Sequence, residues 1–124
     1  MMERDFDDWN EVKKKVERNK RIEIREGSVW MCSFGLNIGY EINGKHKQYE
    51  RPALIIKSFG VGGGIVLPLT SKDKKGKYVV PLNDISNINL TQIRYLDSKR
   101  FRRFLFEIKN AYLNEIKNKF KDIL

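Results

Sequence analysis

Arg51 stands directly before Pro52 and the apolar run Ala53-Leu54-Ile55-Ile56. Thr70 and Ser71 close a second apolar run, Ile65-Val66-Leu67-Pro68-Leu69. Runs of this kind, rich in strand formers, belong in a buried sheet. A guanidinium is a planar fork of donors that suits two oxygens of one phosphate. A hydroxyl can hold a phosphate oxygen or orient an attacking alcohol. A cation and two hydroxyls at the ends of neighbouring buried strands are therefore read as opening onto one polynucleotide-binding surface. The plainer alternatives are a surface ion-pair role for Arg51 and a simple strand role, with its hydroxyl satisfied, for Thr70.

Other residues in the same region bear on that chemistry. His46 has a side chain that titrates near neutrality and sits in the basic loop Asn43-Gly44-Lys45-His46-Lys47. Tyr40 and Phe59 stand near loop ends, where an aromatic ring can stack on an unpaired base. Trp30 is read as core rather than as a stacking platform.

The net charge of +9 is concentrated in Lys13–Arg21, Ser71–Lys77 (including Lys72) and Ser98–Arg103. Basic surface of this kind attracts polyanions by phosphate contact and counterion release. The bland reading is a set of solvated lysine-rich faces. Charge alone does not decide between the two.

One cysteine and one histidine, Cys32 and His46, provide no zinc ligand set. No compact acidic cluster marks a magnesium site, so no cofactor and no metal are expected. Gly60-Val61-Gly62-Gly63-Gly64 lacks the following helix pattern and Lys-Ser/Thr of a phosphate loop. Its β-branched flanks make it a hairpin turn.

The elements that must carry these residues fall into three zones of a single domain. Asp5 to about Asn19 is predicted as a helix, within an N-terminal extension over 5–20, because Phe6, Trp9, Val12 and Val16 share one face. Its acidic residues come first and its lysines later, matching the helix dipole. Residues 26–97 read as β, with strands around Ser28–Phe34, Ala53–Phe59, Ile65–Leu69, Lys77–Leu82 and Ile88–Leu96. Pro68 and Pro81 point to edges or bulges. Residues 98–124 read as a helical segment, with Phe101, Leu105 and Ile108 leading into Leu113, Ile116 and Phe120. Asp97 is the expected cap before Ser98, and Arg94 is read as structural, pairing with Asp97 or supporting a dimer.

Length and composition agree with one globular core. No apolar run approaches the roughly 20 residues of a membrane helix. The opening Met1-Met2-Glu3-Arg4-Asp5 is not a secretory signal, and a lone cysteine cannot form an internal disulfide. The expectation is a cytoplasmic protein with no membrane partner.

Several segments, in order, resemble the MazF/PemK family of toxin endoribonucleases. They are Gly27–Gly35, Gly39–Glu41, Arg51–Ile56, Val66–Ser71 and Thr91–Arg100. The resemblance implies a mostly β, α+β fold: a small SH3-like barrel with an N-terminal helix and a C-terminal helical segment. It implies the toxin of a type II toxin-antitoxin system, a homodimer that cuts single-stranded RNA within a short sequence, without a metal. A cognate antitoxin would be its partner. On the matching motifs, Arg51 and Thr70 are the catalytic residues, Ser71 assists, and Glu41 is the first candidate for the base, with His46, for its pKa, and solvent or no dedicated base as the alternatives. Tyr40, Lys45, His46, Lys47, Phe59 and Lys72 are the candidate substrate contacts. Glu41 could equally cap or pair with a lysine.

This chain departs from the pattern in three ways. The stretch from Glu41 to Arg51 is long and basic, Tyr40 follows Gly39, and the N-terminal helix lies outside the resemblance. Gyrase-poisoning CcdB toxins share the fold without cutting RNA, so a non-catalytic poison and an inactive nucleic-acid-binding regulator are the alternatives.

Overall fold

The structure is a computed structural model. It describes residues 6–18, 21–35, 49–71, 78–83 and 86–124. Helix α1 is Phe6–Glu17. The strands are β1 Ser28–Ser33, β2 Glu50–Ser58, β3 Gly63–Thr70, β4 Val79–Pro81, β5 Asn87–Asn89, β6 Arg94–Asp97 and β7 Phe101–Glu107. Helix α2, Asn110–Asp122, ends the chain. The strands pair antiparallel in the order β4-β5-β3-β2-β1-β7, with β6 also on β3. The fold is α+β. Among the described strands β4 and β7 are the two ends of the ladder, so the sheet curves without closing, and "barrel" describes it only loosely.

β2 and β3 are buried on both faces, which is why both read as near-continuous apolar runs rather than as alternating ones. Leu54 and Ile56 of β2 join Leu67 and Leu69 of β3 in one cluster, where Leu113 and Ile116 of α2 cover them. Ala53, Ile55 and Val66 face the other way, into a cluster with Cys32, Phe34, Leu96 and Phe101. A third cluster is built by α1 itself: Trp9, Val12 and Val16, packed on Tyr49. The three-residue turn Gly60–Gly62 joins β2 to β3, as the glycine run predicts.

Pro68 lies in the central strand, not at an edge. β3 is served on its far side by β6 at residues 63–66 and by β5 at 69–70. Pro68 falls between those two ladders, where a missing donor is tolerated. Pro81 ends β4, the terminal strand of the sheet.

The segment from Phe101 to Glu107 is a strand, which corrects the helical expectation for the start of 98–124. The cause is visible in its register. Cys32 pairs with Phe101 and Met31 with Arg103; Trp30 pairs with Phe104 and Val29 with Phe106. Each register shift adds one residue to β7, a bulge. A two-residue alternation plus one extra residue makes a spacing of three. Phe101 and Phe104 therefore meet the same neighbour, Trp30, with ring centroids 6.0 and 5.8 Å away. The residues expected on one helix face divide between two clusters: Phe101 joins Cys32 and Phe34, whereas Leu105 and Ile108 pack against the cluster that α2 covers.

Asp97 does cap a short turn, accepting from the Lys99 amide at 2.9 Å, but its ion-pair partner is Arg21 at 2.5 Å. Arg94 lies over the Phe34 ring, 5.3 Å from its centroid.

Candidate functional site

The β2–β3 ladder sets Ala53 opposite Pro68, Leu54 opposite Leu67 and Ile55 opposite Val66. Continued by two residues, the same antiparallel register sets Arg51 opposite Thr70. Directly opposed residues point to the same face of a sheet. The Arg51 guanidinium confirms the proximity: its Nη1 donates to the carbonyl of Leu69, next to Thr70, at 3.0 Å.

The line extends in both directions. Arg51 pairs with Cys32 on β1, and Thr70 pairs with Asn87 on β5. Arg51, Thr70 and Asn87 thus form a polar row across three adjacent strands, with the buried Cys32 at one end. Ser71 follows Thr70 and is exposed. No motif marks Asn87 in the sequence. A signal exists, because Ile88 is fully buried between Asn87 and Asn89, and alternation turns its neighbours to the opposite face.

Arg51 and Thr70 are each only 9 % exposed. Burial lowers the affinity of the Arg51 guanidinium for its proton, yet an arginine stays charged in any protein setting. A cation held partly out of water acts more strongly on a nearby anion than one in bulk solvent. Burial and the Glu50 carboxylate together push the Cys32 thiol well up, which makes it a packing residue and not a nucleophile. Arg100 is a second half-buried guanidinium. Desolvation and the nearby charge of Arg94 both lower its pKa. It donates to the Ser33 carbonyl at 3.2 Å.

Phe59 is not part of this cluster. It stands at the far end of the β2–β3 hairpin, on the order of 25 Å along the strand from Arg51 at an extended rise. There it is 55 % exposed and packs on Tyr95 with ring centroids 6.3 Å apart. Glu41, Tyr40, Lys45, His46, Lys47 and Lys72 lie outside the described residues. Trp30 is half-buried, with its indole N–H donating to Ser28 Oγ at 3.2 Å. Among the described residues no three His, Cys, Asp or Glu side chains gather as a metal ligand set, and no helix is long and apolar enough to cross a membrane.

At the end of the sheet where β2 begins, the amides of Phe34 and Gly35 both donate to the Tyr49 carbonyl, at 2.9 and 3.1 Å. Helix α1 lies against this junction through Trp9.

The family described as PemK-like, MazF-like toxin of type II toxin-antitoxin system matches residues 25–124. The chain belongs to this family. Three solved structures carry the MazF fold at low identity. MazF from Deinococcus radiodurans aligns with a TM-score of 0.65 and 22 % identity, over 82 % of this chain and 96 % of the other. An endoribonuclease from Mycobacterial species gives 0.62 and 15 %, over 82 % and 91 %. An endoribonuclease from Mycobacterial species in complex with its cognate antitoxin gives 0.59 and 18 %, over 80 % and 92 %. No curated protein sequence matches the chain significantly. The MazF-like match begins after α1, so the helix is an addition to the family's shared part.

Proposed function

We propose that this MazF-like toxin is a metal-independent, sequence-specific endoribonuclease acting on single-stranded RNA, with Arg51 and Thr70 at its reacting phosphate. The observation that carries the reading is the opposition of Arg51 and Thr70 on neighbouring strands, with Arg51 already reaching to the end of β3.

In this reading the ribose 2′-oxygen attacks the adjacent phosphorus, and the bond from phosphorus to the 5′-oxygen breaks. The products are a 2′,3′-cyclic phosphate and a 5′-hydroxyl. Charge grows on the non-bridging oxygens as the phosphorane forms. The fork of Arg51 is suited to two of them and stabilises that charge. Thr70 orients the attacking alcohol or holds a phosphate oxygen, with Ser71 beside it. Glu41 takes the proton of the 2′-hydroxyl. Arg51, too weak an acid to give up its charge at rest, passes a proton to the leaving 5′-oxygen as negative charge develops there. The row is held by β2 and β3, the strands most deeply built into the core, so its side chains are positioned by packing on both faces.

A cognate antitoxin partner is proposed as well, supported by the solved Mycobacterial endoribonuclease captured with its own. So are a homodimeric state and a cytoplasmic site of action, as the family resemblance implies.

The test is incubation of the purified protein with single-stranded RNA in excess EDTA, followed by analysis of the ends. Cuts with 5′-hydroxyl ends that disappear in Arg51→Ala support the reading. Intact RNA beside inhibited supercoiling by gyrase overturns it in favour of a non-catalytic poison. Tight RNA binding without any cut overturns it in favour of a regulator.

A further inference from the structure

Helix α1 lies ahead of the residues the family shares, yet it is fastened beside the candidate site. Trp9 fills the space above Gly35. A Cβ at that glycine, whose φ is +73°, would come within 2.1 Å of the indole. The same ring meets Tyr49 edge-on, with centroids 5.5 Å apart. The Tyr49 hydroxyl donates to Asp8. The Arg100 guanidinium lies 5.8 Å from the Trp9 ring.

Tyr49 itself has φ +53°, and among the described residues it is the non-glycine in the left-handed region. A turn that needed only this backbone shape would use glycine or asparagine. A tyrosine holds it where its surroundings over-determine it. Here the surroundings are a ring and a carboxylate from α1. Gly35 and Tyr49 are the points where the chain leaves β1 and approaches β2, and the two amides at 34 and 35 lock onto the Tyr49 carbonyl. Arg51 follows Tyr49 by two residues.

We propose that α1 is a positioning element of the active site. Asp8 and Trp9 hold Tyr49 in its left-handed conformation against Gly35, and so fix the direction in which β2 starts and Arg51 is presented. The inference rests on the ribonuclease reading above. Asp8, Trp9 and Tyr49 touch no substrate in it; they act through Arg51.

The experiment uses the full chain and an RNA oligonucleotide that the wild type cuts. It measures kcat, KM, the melting temperature, and hydrogen exchange at the Phe34 and Gly35 amides. In Trp9→Ala, exchange at both amides accelerates and kcat falls about tenfold, with KM changed less than about twofold. Asp8→Ala moves kcat in the same direction, and Asp8→Asn, which keeps an acceptor oxygen, restores it. Should Trp9→Ala fail to fold, Tyr49→Phe decides, because it keeps the ring and loses only the hydroxyl; a kcat lowered about threefold at an unchanged melting temperature supports the role. Unchanged exchange in Trp9→Ala overturns the inference, and so does faster exchange with unchanged kcat. A wild type that cuts no RNA overturns the ribonuclease reading instead, so the two failures are told apart by the wild-type lane.

Discussion

Arg51 reaches across from β2 to donate to the carbonyl of Leu69, 3.0 Å away, at the end of the strand that carries Thr70. A guanidinium in that position is anchored by protein and aimed by it. The hydrogen bond fixes one edge of the fork, as the proposed role of meeting developing charge without reorganising would require.

Arg51→Ala lowers the rate of RNA cleavage by about a hundredfold or more, the scale set by loss of one preorganised charge-stabilising donor. Arg51→Lys, which keeps the charge and loses the fork, recovers only a minor part. Single-turnover cleavage in EDTA, beside thermal melts of each variant, measures this. An Arg51→Lys protein as fast as wild type would remove the fork from the mechanism.

Thr70→Val keeps the strand-forming shape and deletes the hydroxyl. The expected outcome is a drop of about tenfold or more in kcat, with Thr70→Ser close to wild type. Asn87→Leu, directly opposite on β5, lowers the rate as well if the row functions as a unit, and the double variant then costs less than the product of the two single losses. Multiplicative losses would separate Asn87 from the site.

Gly35→Ala forces a Cβ into the Trp9 ring and a left-handed φ onto an alanine. The strain amounts to about 1–2 kcal/mol for the backbone alone. Calorimetry of the variant should show a lowered melting temperature. Indole fluorescence moving toward longer wavelength would report Trp9 leaving its contact.

Glu26 accepts from Lys117 at 2.8 Å. That hydrogen bond, ahead of the opposing desolvation, holds its carboxyl below the usual range. A carboxyl depressed on folding adds stability above its unfolded pKa of about 4.3, and that stability is lost as the pH falls through the folded value. Glu26→Gln therefore melts lower than wild type at pH 7, and the gap narrows as the pH falls below the unfolded value. For a partly exposed pair the effect is about 0.5 kcal/mol. A gap that stays constant across that range would assign the loss to packing.

Cys32 is buried opposite Arg51. Its thiol reacts with an alkylating reagent only after the sheet opens, so labelling should follow the unfolding transition in denaturant. Rapid labelling of the native protein would contradict the packing described here.

The hairpin of β2 and β3 was legible in sequence because each strand is buried on both faces and its glycine turn is unambiguous. Arg51 and Thr70 were legible for the same reason, as polar residues at the ends of apolar runs. What could not be read were features created between segments. β7 hid because two bulges break its two-residue alternation, leaving Phe101, Leu105 and Ile108 to imitate a helical spacing. Asn87 becomes part of the row only through the register of β3 on β5. Tyr49 looks ordinary until α1 folds against it, since no local pattern announces a left-handed tyrosine. In the sequence Pro68 points to an edge or a bulge, because a change of partner along one side of a central strand leaves no trace in composition.

The row at the strand ends has no precursor in the unstructured chain. It comes into being when β1, β2, β3 and β5 lie side by side, and a one-residue slip of β2 would turn Arg51 to the opposite side of the sheet. β5 follows β1, β2 and β3 in chain order, and α2, which seals the face beneath it, follows β5. On the proposed reading, a nascent chain whose β5 and α2 are still inside the ribosome lacks the assembled row and cuts no RNA, so the order of synthesis itself postpones activity.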